Sequence, residues 1–131
     1  MPGWPQLLSL LLAVLWAGII FFLSSQPGTD TPPLFPHMDK LLHVLAFGIL
    51  GFLVLGGIRP GKHGHTSVQL WTAVAIAGAY GILDEVHQRY VPGRMPDVLD
   101  VLADLAGAML GAWLLHIIIR LRHRGQSRPD T

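Results

Sequence analysis

Acidic, basic and imidazole side chains are concentrated in two short stretches of this chain, each beside an apolar run. The first stretch, DKLLH, carries Asp39, Lys40 and His43. The second, DEVHQRYVPGRMPDVLDVLAD, holds five of the chain's eight carboxylates together with Gln88 and Arg94. A histidine beside carboxylates can transfer protons, and a guanidinium is suited to binding phosphate or carboxylate. These residue types predict a site that binds, and can modify, an anionic ligand.

Helical spacing places several of these side chains on common faces. Residues three or four positions apart are neighbours on a helix surface. Two pairs stand four apart: Asp39 with His43, and Asp84 with Gln88. A longer row, at spacings of four, three and four, is formed by Asp100, Asp104, Gly107 and Gly111. We expect these polar faces, which belong to separate helices, to meet in a single pocket.

Asp104 lies deepest within an apolar run. At a rise of about 1.5 Å per residue it lies about 9 Å below the start of its helix. That is about a third of the way through a hydrocarbon core of about 30 Å. An ionised and unpaired carboxylate is strongly disfavoured at that depth. Asp104 must therefore pair with another group, be protonated, or line a wet cavity.

The elements that position these residues are four apolar runs. The chain is 51% hydrophobic and only 13% charged, whereas roughly a quarter of the residues of soluble domains are charged. We predict an all-α fold, an integral membrane four-helix bundle, with helices over about 4–23, 39–58, 68–90 and 97–119. The first run is too long for a signal peptide and follows no basic residue, so we expect it to be retained as a helix.

Local signals indicate how the helices begin and are joined. Pro92-Gly93 predicts a type II turn, because Pro presets one turn position and Gly supplies the positive φ of the next. Asp97 is a suitable N-cap for the last helix, and Asp39 for the second. The two glycines of the long row form a GxxxG arrangement. This arrangement predicts close helix packing rather than ligand contact.

The distribution of charge predicts the orientation of the bundle. One end, with both termini and the loop at 59–66, carries six Lys and Arg residues and one Asp. The other end carries three Lys and Arg residues and seven acidic ones. Because short loops rich in Lys and Arg stay in the cytoplasm, we predict a multi-pass membrane protein. Both termini are then cytoplasmic, residues 120–131 form a basic cytoplasmic tail, and the polar patches open to the outer face.

Several motifs together resemble those of the VanZ-like family of small bacterial membrane proteins. This chain has DKLLHVLAFGILG and, later, DEVHQRYVPGRMPDVLDVLADLAGAMLG. The family pattern runs D-K-x-x-H, D/E-x-x-Q, P-G-R and D-x-x-x-N-x-x-G-x-x-x-G. The similarity extends over about residues 20–115, including SSQP after the first run, and implies a VanZ-like transmembrane domain over 1–119. Asp104 stands where the family usually has Asn, which weakens any role that needs a neutral amide.

The family name comes from a protein associated with teicoplanin resistance. The resemblance thus implies a multi-pass protein of the bacterial cytoplasmic (inner) membrane, with a role in the cell envelope that extends to glycopeptide resistance. We expect the outward-facing site to bind a lipid-linked cell-wall precursor or a glycopeptide-type molecule, with membrane lipid around it. The catalytic residues of this hypothesis are His43, Asp84, Glu85 and Asp100. Its binding residues are Asp39, Lys40, Gln88, Arg94 and Asp104.

Two other interpretations of the polar groups stay open. The residues do not indicate the oligomeric state. A non-catalytic accessory or scaffold protein can use the same polar groups structurally, and the chain has no cysteine nucleophile. A small transporter is less well supported, because the inner halves of the helices carry no charge. We expect no cofactor, no dedicated metal motif and no nucleic-acid partner. A divalent cation is nevertheless compatible with carboxylate oxygens, here those of Asp84, Glu85, Asp100 and Asp104.

Overall fold

The computed structural model describes residues 3–28 and 32–126, which form four α-helices. They are α1 (Trp4–Ser24), α2 (Met38–Gly56), α3 (Ser67–Gln88) and α4 (Val98–Gln126). No β-strand occurs within these described ranges. The prediction of an all-α protein built from four helices is therefore confirmed.

Three of the helices are long and apolar enough to cross a membrane, namely α1, α2 and Val98–Gly125 of α4. Helix α3 has 22 residues, which suits a span in length, but its polar ends and many small residues make it less apolar. Large side chains such as Phe22, Leu45 and Trp113 point outward and are exposed. Lipid chains solvate such side chains well, so this surface is that of a membrane protein.

Helices α2 and α4 form the most extensive contact in the bundle, and they run parallel to each other. The two glycines of the GxxxG row lie against backbone. A Cβ at Gly107 would meet the Val44 carbonyl, and one at Gly111 would meet the Gly48 carbonyl. Both glycines are buried. The predicted use of this row for close packing is confirmed, because only a residue without a side chain lets these backbones approach.

The predicted end of the last helix is wrong. Helix α4 continues to Gln126, so residues 120–126 of the predicted tail are helical. Its last turn carries His123 and Arg124, and basic groups at a helix C-terminus interact favourably with the negative end of the helix dipole. Residues 127–131 of the tail lie outside the described residues, as do three charges used to predict the orientation, those of Asp30, Arg128 and Asp130.

The connection between α3 and α4 has the predicted turn. Gly93 has a φ of +73°, and the Arg94 N–H donates to the Val91 carbonyl at 3.2 Å, as in a type II turn. This turn ends α3 at Gln88, two residues before the predicted end. The predicted N-cap at Asp97 is also confirmed, since its Oδ1 accepts from the Leu99 N–H at 2.9 Å.

Helix α2 begins and ends differently from the prediction. It begins at Met38, after His37 in a left-handed conformation with a φ of 60°. Asp39 therefore lies inside the first turn, and its predicted role as the N-cap is wrong. A carboxylate in the first turn still faces the positive end of the helix dipole. The helix ends at Gly56, two residues early, where consecutive glycines weaken helical structure.

Candidate functional site

All nine predicted site residues lie at one end of the bundle, which we call the polar end. The N-terminal turns of α2 and α4 meet there through Lys40 and Asp100. The C-terminal turns of α1 and α3 meet there through Ser24 and Gln88. The Asp97 N–H donates to Glu85 and joins the two pairs of helices. The expected gathering of polar groups from distant parts of the chain is present, but these groups are divided into separate clusters.

The first cluster is centred on the Lys40 ammonium. Its Nζ lies 2.9 Å from Asp39 Oδ2, 2.7 Å from Asp97 Oδ2 and 2.5 Å from Asp100 Oδ1. The carboxylate side chains of Asp39 and Asp97 are 61% and 41% exposed, whereas that of Asp100 is 10% exposed. Exposed pairs are screened by solvent and contribute little to stability. The pair with Asp100 therefore makes the main contribution to joining α2 to α4.

The loop carboxylate of this cluster is held in its charged form. The Lys40 ammonium, followed by the Leu99 backbone N–H, lowers the pKa of Asp97 below its ordinary value. Both groups hydrogen-bond to the carboxylate only in the folded chain. The stabilisation that Asp97 provides is therefore present above the pKa it has in the unfolded chain and is lost as the pH falls through its lower folded value.

The second cluster contains His43, which lies between two carboxylates of α4. Its Nδ1 lies 2.8 Å from Asp104 Oδ1, and its Nε2 lies 3.9 Å from Asp100 Oδ2. Asp104 is fully buried, and its Oδ2 has no hydrogen-bond partner. The depth of Asp104 leaves three possibilities, namely pairing, protonation or a wet cavity. The structure shows pairing, with His43. The hydrogen bond to Asp104 also sets the orientation of the imidazole ring.

Glu85 reaches this second cluster from α3. It is 6% exposed. Its Oε2 accepts the backbone N–H of Asp97 at 3.0 Å, while its Oε1 has no hydrogen-bond partner. One ligating atom from each of His43, Glu85 and Asp100 can be chosen so that all three lie within 4.8 Å of one another. Helices α2, α3 and α4 each contribute one of these residues.

The third cluster contains Asp84, Gln88 and Ser24, and it joins α3 to α1. The Gln88 amide donates to Ser24 Oγ at 2.9 Å and to Asp84 Oδ2 at 3.2 Å. All three side chains are buried, and Asp84 Oδ1 has no hydrogen-bond partner. The Asp84 and Gln88 pairing follows from their predicted shared face. The four carboxylates proposed for a cation are thus divided, because Asp84 belongs here and not with the other three.

Arg94 lies on the turn and contacts the end of α1. Its Nε donates to the Gln26 carbonyl at 3.1 Å and its Nη2 to the Leu23 carbonyl at 3.2 Å. Among the described residues, no carboxylate lies within ion-pairing distance of Arg94. Two neutral acceptors therefore hold the guanidinium in place, and no acidic side chain of residues 3–28 or 32–126 neutralises its charge.

A groove of about 380 Å³ opens beside these clusters, between α1, α2 and the end of α3. At the polar end its walls include His43, Asp84 and Arg94. Further along, its walls are apolar and consist of Trp16, Ile19, Ile20, Leu23, Leu42, Leu45, Ala46, Phe47 and Ile49. We call this cavity the groove. It combines one charged end with a long apolar channel.

The comparison with protein families agrees with the motifs. The model of the VanZ/LLP1 family matches residues 9–120, which is most of the chain. The chain belongs to the VanZ/LLP1 family. No match was found among curated proteins or among solved structures.

In this VanZ/LLP1 protein the groove includes some of the predicted site residues and leaves others out. Five of them line it, namely Asp39, His43, Asp84, Gln88 and Arg94. The other four, Lys40, Glu85, Asp100 and Asp104, lie behind His43 in the first and second clusters. His43 is the residue that contacts both the groove and the buried carboxylates.

Two side chains outside the predicted set also contribute to the polar end of this VanZ/LLP1 protein. Ser24 is buried and hydrogen-bonded to Gln88. His87 Nε2 lies 2.9 Å from Ser25 Oγ, and its ring packs on Phe21. The SSQP motif that follows the first apolar run was the available signal for the serines. Helical spacing within α3 could not indicate His87, because its partners belong to α1.

Proposed function

We propose that this VanZ/LLP1 protein is a multi-pass protein of the bacterial cytoplasmic membrane whose groove binds a phosphate-bearing lipid of the cell envelope. The observation that carries the proposal is the Arg94 guanidinium, which pairs with no carboxylate of the described residues and lies at the polar end of a groove that is apolar along the rest of its length. Both termini lie in the cytoplasm, and the polar end faces outward. The ligand class is that of lipid-linked cell-wall precursors, which combine a long apolar chain with a phosphorylated head.

The shape of the groove supports an amphipathic ligand. Its volume of about 380 Å³ is within the usual range of about 300–1,000 Å³ for small-molecule pockets. The wall formed by Leu42, Leu45 and Ile49 follows one side of α2 and accepts an apolar chain. A chain in this position continues into the surrounding bilayer, so only part of the lipid needs to leave it.

One cationic side chain of the groove, Arg94, supports an anionic head group, and it lies at the same end as the carboxylates of Asp39 and Asp84. Arg94 presents a planar set of donors, which matches phosphate oxygens. Its two bonds to the carbonyls of Leu23 and Gln26 hold the guanidinium in position before any ligand arrives. His43, on the opposite wall, adds an imidazole that can donate or accept a hydrogen bond.

Binding is better supported than covalent chemistry. The chain contains no cysteine, and the hydroxyl of Ser24 is buried and accepts a hydrogen bond from Gln88 rather than contacting a base. His43 is the one groove residue of the described chain that is hydrogen-bonded to a buried carboxylate of α4. Turnover of a lipid-linked substrate by the purified protein would add acid–base catalysis by His43 to this function.

The phosphate of the ligand is tested by titrating the purified protein with polyprenyl phosphate and with the matching polyprenol. Trp16 lines the groove, so its fluorescence reports binding. We expect Arg94→Gln to weaken binding of the phosphate by about tenfold to a hundredfold, as for loss of a charge-assisted hydrogen bond of about 1.5–3 kcal/mol. Binding of the polyprenol should change little.

The matched control for that titration is Arg89→Gln. Arg89 is an exposed arginine near the same end of the bundle, but it lies outside the groove. We expect its replacement to leave the affinity for polyprenyl phosphate unchanged. Equal weakening by both substitutions, or equal wild-type affinity for the phosphate and the alcohol, would contradict the proposal. The unfolding temperature of each variant shows whether the fold is retained.

The orientation is tested with single cysteines, since the chain has none of its own. Met95 is exposed in the loop at the polar end, and Lys62 is exposed in the loop between α2 and α3. We expect a membrane-impermeant maleimide to label Met95→Cys in intact cells and to label Lys62→Cys only after the membrane is opened. The reverse pattern would place the polar end in the cytoplasm.

Glycopeptide resistance would be a consequence of this binding. A protein that holds a lipid-linked precursor, or a lipid-tailed glycopeptide such as teicoplanin, changes how much antibiotic reaches its target. We expect expression of the wild type in a sensitive host to raise the inhibitory concentration of teicoplanin, and Arg94→Gln to abolish the increase. An unchanged inhibitory concentration with the wild type would remove resistance from the function without affecting the lipid titration.

A further inference from the structure

We propose that His43, Glu85 and Asp100 bind a divalent transition-metal ion, and that Asp104 orients His43 for this purpose. The three residues come from three helices, and their ligating atoms lie within 4.8 Å of one another. The site is one imidazole nitrogen and two carboxylates, gathered behind the wall of the groove. The inference does not depend on the identity of the lipid, because His43 is the one residue that it shares with the groove.

The geometry of His43 is that of a metal-binding histidine. Its Nδ1 is hydrogen-bonded to Asp104 Oδ1 at 2.8 Å. With the proton on Nδ1, the lone pair of Nε2 is left available. Histidine ligands in metal sites commonly have such a carboxylate on the other ring nitrogen. Asp104 therefore acts as a positioning residue and need not contact the ion.

The spacing of the ligating atoms fits a small cation. His43 Nε2 and Asp100 Oδ2 lie 3.9 Å apart, which is too long for a hydrogen bond. Bonds from zinc to nitrogen and oxygen ligands are about 2.0–2.2 Å long. A single ion between the two atoms can contact both, because their separation is shorter than two such bonds. A ligating atom of Glu85 lies within 4.8 Å of those of the other two residues, which places it near enough for the third contact.

Glu85 supplies an independent indication of a missing partner. It is 6% exposed, and its Oε1 has no hydrogen-bond partner among the described residues. A buried carboxylate oxygen without a partner is energetically costly. Its other oxygen is engaged by the Asp97 N–H, which leaves Oε1 as the free ligating atom.

The balance of charge also requires a further cation or protons. The described polar end contains six carboxylates, those of Asp39, Asp84, Glu85, Asp97, Asp100 and Asp104. Lys40 pairs with three of them, and Arg94 pairs with none. Lys40 binds Asp100 through Oδ1, so Oδ2 still faces His43. Lys40 forms no ion pair with Glu85, so a divalent ion held by Glu85 and by Oδ2 of Asp100 would neutralise the charge of Glu85.

The donor set selects the class of ion. An imidazole nitrogen suits zinc, copper, iron and nickel, whereas calcium and magnesium favour sites made of oxygen alone. Zinc and iron(II) sites commonly combine imidazole nitrogens with carboxylate oxygens. We therefore use zinc as the probe. The competing arrangement is a proton, with His43 as an imidazolium between Asp104 and Asp100.

The test is the metal content of the full chain, purified with an affinity tag that contains no histidine. The protein is incubated with zinc without any lipid ligand, desalted, and analysed by elemental mass spectrometry. We expect about one zinc ion per chain, and a higher unfolding temperature with zinc than with a chelator, because a ligand that binds only the folded state stabilises it. Failure here leaves the lipid titration unaffected, so the two proposals fail separately.

Variants separate this site from adventitious binding. We expect His43→Ala and Glu85→Gln to lose the zinc, and the positioning variant Asp104→Asn to bind it about ten to a hundred times more weakly. His87→Ala is the matched control, a histidine of the polar end bonded to Ser25 and outside the cluster. Glu85→Gln keeps the size of the side chain, so it remains informative if His43→Ala does not fold. Zinc below a tenth of an ion per chain in the wild type, or equal zinc in Glu85→Gln, would overturn the proposal.

Discussion

Replacing Gly111 by leucine is expected to separate α2 from α4 and to unfold the bundle. A Cβ on Gly111 would overlap the backbone carbonyl of Gly48, and both glycines belong to the most extensive helix contact. Backbone cannot rotate away as a flexible side chain can, so the helices must move apart. Overpacking of a core commonly lowers the free energy of unfolding by about 1–3 kcal/mol. Here the added side chain meets the backbone of Gly48, so we expect a loss of about 3 kcal/mol or more.

The measurement is reversible unfolding in mixed micelles with increasing sodium dodecyl sulfate, followed by the helical circular dichroism. The control is Gly18→Leu in α1, where an added Cβ meets no atom within 4 Å. Leucine has a higher helix propensity than glycine by about 0.5–1 kcal/mol, so this control should be neutral or stabilising. Equal destabilisation of the two variants would show that the α2 and α4 backbones do not lie in contact.

Replacing Lys40 by methionine is expected to produce the second large effect. Methionine keeps the length of the side chain but leaves the nearly buried Asp100 carboxylate without its ammonium partner. Breaking a buried pair by removing one partner costs about 3–5 kcal/mol. Because Asp39 is exposed and Asp97 is partly exposed, solvent screens both pairs. We therefore expect a loss at the lower end, about 3 kcal/mol, in the same unfolding assay.

Two comparisons isolate the contribution of this pair. Lys62→Met removes an exposed lysine from the opposite end of the bundle and should change stability by less than about 0.5 kcal/mol. Asp100→Asn in the Lys40→Met background removes the unpaired charge and should recover part of the stability, as a double-mutant cycle would show. If Lys40→Met is as stable as the wild type, the ion pairs of Lys40 with Asp97 and Asp100 do not hold α2 to α4.

Much of the fold follows from local features of the sequence. The apolar runs predict the four helices, because a helix that crosses a membrane must satisfy its backbone internally over about 20 residues. The turn at Pro92-Gly93 and the cap at Asp97 follow from residue chemistry within a few positions. The row from Asp100 to Gly111 follows from the helical repeat. Each of these features depends on residues that are close in the sequence.

The arrangement of the site depends on contacts that no local pattern specifies. The parallel register of α2 and α4 places Lys40 against Asp100 and His43 against Asp104, and a shift of one helical turn would exchange these partners. Arg94 is held by carbonyls of α1 that lie about seventy residues earlier. The spacing of side chains therefore predicts which groups share a face, but the packing of the helices decides which of them pair and which line the groove.

The assigned groups also separate stability from binding. Lys40, Asp97 and Asp100 connect the N-terminal turns of two helices, so their loss should act through folding. Arg94 and the apolar walls formed by Leu42 and Leu45 surround open space, so their loss should act through the ligand. His43 contacts both regions, and its variants need a folding measurement beside every binding measurement.

Cross-linking from inside the groove tests the central claim most directly. A benzophenone amino acid is placed at Leu45, in the groove, or at Leu102 of α4, outside it. Both positions are 55% exposed and lie within about one helical turn of each other in depth. The protein is put into phosphatidylcholine nanodiscs with a trace of tagged polyprenyl phosphate. We predict strong labelling at Leu45, removed by untagged polyprenyl phosphate but not by polyprenol. Equal labelling at both positions, unaffected by either competitor, would contradict a lipid-binding groove.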